Sequence, residues 1–180
     1  MKRGAQIISM SILLAVPVFA ANPFLNAKDD KPVSANFGGT EWNDEYINGD
    51  IPLTARMVMT RIATMPWGAI FKIEFVDLKS RAEQKREMRP DYFIATADRI
   101  VLLNEENNIY GITNGHFKHQ EGLWETKIDV KTDLCVYDSS HPSGHFRKIV
   151  WKKGVGLIQY DSGYGAAKDG YKLKRVSMKK

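Results

Sequence analysis

From residue 51 onward, apolar and polar positions alternate in short runs separated by turn residues. Residues 69–77 show the pattern most clearly. Phe71, Ile73 and Phe75 fall on one face and Lys72 and Glu74 on the other, the period of a half-buried strand. Residues 55–64 before them carry Met57, Val58, Met59 and Ile62, and Pro66-Trp67-Gly68 between the two segments is a turn signal. The two segments together fit a β-hairpin. Residues 57–65 also fit one amphipathic helix, but Thr and β-branched residues interleave the methionines and favour the hairpin. Beyond Pro90, strand-like segments recur roughly every 8–12 residues with turn signals between them. They are 92–96, 99–103, 109–112, 124–130, 133–137, 146–152, 155–161 and 171–176, punctuated by Ala97-Asp98, Asn107-Asn108, Asn114-Gly115, Gly122, Pro142-Ser143-Gly144 and Asp169-Gly170.

Two stretches break the alternation. Residues 78–89 set the basic side chains Lys79, Arg81, Lys85, Arg86 and Arg89 against Glu83 and Glu87. This composition, with the stop at Pro90, predicts a short surface helix. Its charges read as a solvated face in preference to an anion-binding patch. Residues 21–50 are rich in Asn, Asp, Gly, Lys and Pro, and are expected to form an irregular arm attached through Trp42 and Tyr46. The fold expected is mainly β: a single antiparallel curved sheet, sandwich or partly closed barrel over residues 51–180, with at most one or two short helices.

The first residues have a different logic. Lys2 and Arg3 precede an apolar run from residue 8 to 19, broken only by Ser9, Ser11 and Pro17, and Val18 and Ala20 then satisfy the small-x-small rule. That is the layout of a cleavable secretory signal peptide over residues 1–20, with the cut between Ala20 and Ala21. The run of about 12 residues is well short of the ~20 that span a bilayer, and nothing later is apolar enough for a span, so an integral membrane protein is not expected. A periplasmic or secreted location follows. Cleavage lowers the formal charge from +5 to +3, because Lys2 and Arg3 leave and no acid goes with them. So mild a basicity, in an exported chain, argues against a nucleic-acid partner. Cys135 is the only cysteine, so no internal disulfide supports the domain, which must rely on its core. The chain has no Asn-x-Ser/Thr sequon, in keeping with a bacterial source.

Candidate chemistry is sparse. His116 and His119, and His141 and His145, form two close pairs, but a zinc site needs three or four convergent ligands, and loop histidines are the preferred reading. Asp138-Ser139-Ser140-His141 contains the residue types of a serine-hydrolase triad, whose members must converge from different elements; turn chemistry explains them better. Cys135 lies in the apolar segment Leu134-Cys135-Val136-Tyr137 with no basic neighbour in sequence to activate it, so it reads as a buried, inert thiol. Glu105, Glu106, Glu121 and Glu125 supply carboxylates for glycoside hydrolysis, but that chemistry is recognised by a separation that sequence does not contain. No cofactor or metal is expected, and an enzyme is the less favoured class.

Near the C-terminus, Trp151-Lys152-Lys153-Gly154-Val155-Gly156-Leu157-Ile158 predicts a tight turn and a bulge, with Gly156 leaving room for Trp151. This stretch resembles the closing hairpin of exported bacterial β-sheet proteins and lipoproteins, many of unknown function, in which an aromatic precedes Gly-Val-Gly-Leu-Val/Ile. The segment 92–103 resembles an earlier hairpin of the same proteins. The resemblance implies a β fold and no catalytic residues, and the lack of a Cys at the cleavage site departs from the lipid-anchored members. The function expected is a non-enzymatic binding domain for a lipid, peptide or other amphiphile, lined by Trp124, Trp151, Tyr160, Tyr164 and Tyr171. The alternative is an interaction module, such as a periplasmic enzyme inhibitor or immunity protein, using the loop 138–144 or 162–170.

Overall fold

The alternation in residues 51–80 becomes a long antiparallel hairpin, β2 (Ile51–Met65) and β3 (Gly68–Ser80), turning at Pro66-Trp67. It belongs to a computed structural model that describes residues 22–25, 31–42, 50–80, 88–103, 123–165 and 169–177. The other strands are β1 (Val33–Trp42), β4 (Asp91–Ala95), β5 (Ile100–Leu103), β6 (Glu125–Val130), β7 (Leu134–Ser140), β8 (His145–Lys152), β9 (Gly156–Tyr164) and β10 (Asp169–Arg175). All join one antiparallel sheet in the order β5-β4-β3-β2-β1-β10-β9-β8-β7-β6, nearly closed into a barrel. No helix occurs among the described residues.

Two expectations are corrected. Residues 21–50 do not form an arm outside the domain. Their segment Val33–Trp42 is β1, in the middle of the sheet between β2 and β10. Residues 78–80 of the expected surface helix finish β3 instead; residues 81–87 lie outside the described residues, as does the expected strand at 109–112. The hairpin reading of residues 55–77 holds over the helical one, and the remaining strands match the expected segments closely.

Sheet curvature comes from local irregularities. Asp77, in the left-handed region at φ 54°, lies where two β3 residues oppose Ala55 alone, and Ile62 is the extra residue of a second register shift on β2. Such bulges bend a strand and increase its twist. The turn after β8 also behaves as expected, with a register shift beside Trp151. The reason for Gly156 is different, however: Trp151 pairs with Leu157, and Gly156 is required by its φ of 94°.

The lower interior is packed with side chains from the inward positions of every strand, β6 contributing the half-buried Ile128. Phe37, Met57, Phe71, Phe93, Ile149, Trp151, Leu157 and Leu173 are all buried. Phe93 meets Trp151 edge-on at 5.5 Å. The seam is closed by a thiol: the Ile100 N–H donates to Cys135 Sγ at 3.4 Å, and the thiol lies 3.7 Å from the Ile100 carbonyl as donor. One end of the barrel, the floor, carries only short turns. Across it lies the segment around Phe24: Asn22 Nδ2 donates to the carbonyls of Thr96 and Arg99 at 2.6 and 2.9 Å, and Pro23 accepts from the Gly154 N–H.

The outer face is polar in a regular way. Lys127, Asp138, Lys148, Asp161 and Lys172 are register partners on β6, β7, β8, β9 and β10, so charges of opposite sign oppose each other across four strand pairs. Next to that row, Trp42 stacks on Phe146 at 6.2 Å across Gly170 and Gly163. A Cβ on Gly170 would stand 2.5 Å from the Trp42 ring.

Candidate functional site

At the end opposite the floor, the mouth, β1, β3 and β5 end and β2, β4 and β6 begin. The mouth contains a cavity of about 780 Å³. Its construction follows from strand register, because inward side chains recur at every second residue and form three layers.

The middle layer is polar. Thr126, Ser139, Arg147, Ser162 and Tyr171 are consecutive register partners on β6, β7, β8, β9 and β10, and Asp91 of β4 joins them across the interior. Arg147 Nη1 donates to Asp91 Oδ1 at 3.0 Å, and the Tyr160 hydroxyl donates to Asp91 Oδ2. Both bonds tie β4 to strands on the far side of the barrel. The Asp91 side chain is 17% exposed and that of Arg147 35%. Burial pushes the Asp91 carboxyl above its ordinary value, and the Arg147 charge and hydrogen bond pull it part of the way back. Thr126 and Ser139 share a hydrogen bond of 2.8 Å between hydroxyls. Such a layer is costly to bury unless its groups find partners.

Above it is an aromatic rim. His145 stacks on Tyr164 at 4.1 Å with 16° between the rings, and Trp124 lies 5.3 Å from His141 and 6.2 Å from His145. Below it, two residues further along each strand, Phe93, Ile128, Ile149, Tyr160 and Leu173 do not line the cavity. Of the five residues expected to bind ligand, Trp124, Tyr164 and Tyr171 therefore come together at the cavity. Tyr160 lies beneath it, stacked on Tyr171 at 5.9 Å and acting through Asp91. Trp151 is fully buried near the floor and belongs to the core.

Asp91, Arg147, Ser139, Thr126 and Ser162 were not among the expected site residues. Their signal was available: each polar residue follows or precedes, at a spacing of two, an apolar inward position such as Phe93, Ile149, Tyr137, Ile128 or Tyr160. The triad residues do not converge. Asp138 faces outward against Lys148 at 3.7 Å, Ser139 faces inward to Thr126, and His141 Nδ1 meets Ser143 Oγ at 2.7 Å in its own turn. Cys135 is buried, and burial raises its pKa. His116 and His119, with Glu105, Glu106 and Glu121, lie outside the described residues. Among the described residues no group of three or more His, Cys, Asp or Glu is placed to hold a metal ion. Comparison with family models, curated proteins and solved structures yields no match to the chain.

Proposed function

We propose that the protein is an exported, non-enzymatic binding domain that holds a small amphiphile in the mouth of its barrel. The observation that carries this reading is the cavity of about 780 Å³ between the aromatic rim and the polar layer, within the roughly 300–1,000 Å³ of small-molecule sites. Export is supported by the charged, apolar and small-x-small sections of residues 1–20. A water-surrounded barrel is supported by the outer charge row, since a barrel in a bilayer turns an apolar band outward. No described helix is long and apolar enough to cross a membrane.

The test is native mass spectrometry of the protein recovered from the cell envelope or medium of its source. The expected species begins at Ala21 and carries an excess of roughly a few hundred daltons, the size of a drug-like ligand, which is lost on unfolding. A bare chain that captures one stoichiometric envelope protein would replace this reading with the inhibitor or immunity-type alternative.

A further inference from the structure

We infer that the ligand is a saccharide, held with its hydroxyls on the polar layer and a ring face on the aromatic rim. This rests on the mouth cavity being a binding site, as proposed above, and narrows what that site accepts.

Depth disfavours an acyl chain. On four of the strands around the cavity the next inward residue is a plug, Phe93 beneath Asp91, Ile149 beneath Arg147, Tyr160 beneath Ser162 and Leu173 beneath Tyr171, all buried, while Tyr137 beneath Ser139 and Leu102 of β5 line the cavity wall. A long hydrocarbon entering the mouth would stop at Asp91 and Arg147, leaving much of its length in water and stripping water from a charged pair without replacing its hydrogen bonds. The second cost alone is of the order of 1–3 kcal/mol per unsatisfied polar group.

The polar layer calls for a partner that both donates and accepts. The Arg147 side chain offers five N–H donors and uses one of them on Asp91 among the described residues. Asp91 is an acceptor, and the hydroxyls of Thr126, Ser139 and Ser162 do either. A sugar hydroxyl likewise donates once and accepts twice, so a ring bearing several of them can satisfy such a layer. Asp91 and Arg147 also neutralise each other, so the cavity does not select an ionic head group by net charge.

The rim supplies the apolar half. A pyranose has a face of C–H groups that packs on a flat aromatic ring, and Trp and Tyr give large contact areas at low entropic cost. Tyr164 and Trp124 are already braced by His145, so little freedom remains to be lost on binding.

The test titrates the purified protein with cellobiose, maltotriose and diacetylchitobiose. Oleic acid and trialanine serve as the competing chemistries, and the indole N–H resonance of Trp124 is followed by NMR. The expected result is a saturable shift with at least one sugar, weakened about tenfold or more in Asp91→Asn and, read by calorimetry because the reporter indole is then gone, in Trp124→Ala, with both variants retaining cooperative unfolding. Ser139→Ala, a milder change, is expected to weaken the same sugar and keep the fold should Asp91→Asn lose it. A saturable Trp124 response to oleic acid or trialanine, without one to sugar, overturns the saccharide assignment and leaves the cavity as a binding site. No Trp124 response to any probe overturns both.

Discussion

At the floor of the barrel Trp151, Leu157 and Phe93 are buried, with Phe93 edge-on against Trp151, while further along the same strands Arg147, Ser162 and Asp91 surround a space of about 780 Å³. The floor is sealed by short turns and by Asn22, whereas the mouth is where β1, β3 and β5 end. The difference teaches how one set of strands divides its work. Side chains that fill the interior contribute stability through burial, and polar side chains at equivalent inward positions give up that burial to present hydrogen-bonding groups. Stability and binding are therefore expected to be separable by mutation along a single strand.

The strongest way to break the comparison is to truncate one tryptophan at each end. Trp151→Ala is expected to cost about 3–5 kcal/mol, the range for a large core aromatic, and Trp124→Ala about 1 kcal/mol or less, as for a rim residue; denaturant unfolding of the two variants checks this. Equal losses would mean that the mouth is as much core as the floor. Next in size is Asn22→Ala, which removes two donated bonds and the one its Oδ1 accepts from the Phe24 N–H. A loss of about 1–3 kcal/mol is expected, visible as early hydrogen exchange in the turn 96–99.

A pH measurement sharpens the polar layer. Because burial raises the Asp91 pKa, the folded protein binds this proton more tightly than the unfolded chain. Its contribution is thus favourable in acid and is lost as the pH rises from the ordinary carboxylate value, about 3.9, through the raised folded value. The stability of the wild type minus that of Asp91→Asn should fall across that window and be flat above it. A rise would mean that Arg147, not burial, dominates. The smallest effect concerns the seam: with a buried thiol of raised pKa, Cys135 should resist alkylation in the native state and react fully on unfolding. Ready labelling of the native protein would show that β5 separates from β7.

Much of the fold was legible because most strands have an inward face of large apolar residues, as Phe71, Ile73 and Phe75 do. β1 escaped because its inward positions include Gly39 and Glu41 beside Ala35 and Phe37, which read as polar chain. Glu41 is tolerated there because Ser80 donates to it, a partner 39 residues away that no local pattern shows. The site was half legible for the same reason. Aromatic residues drew attention and three of five line the cavity, but Trp151 and Tyr160 have the same local appearance and lie below it.

The sequence by itself determined the strands whose inward face is apolar, where they turn, and that Cys135 sits in an apolar strand, since these depend on neighbours within a few residues. Tertiary structure alone decided that Thr126, Ser139, Arg147, Ser162 and Tyr171 stand in one row and that Asp91 reaches them from the opposite wall. Register and closure fix that row, and both are set by the packing of strands far apart in the chain. A side chain's period says that it alternates, but only the partner strand says at what height it stands.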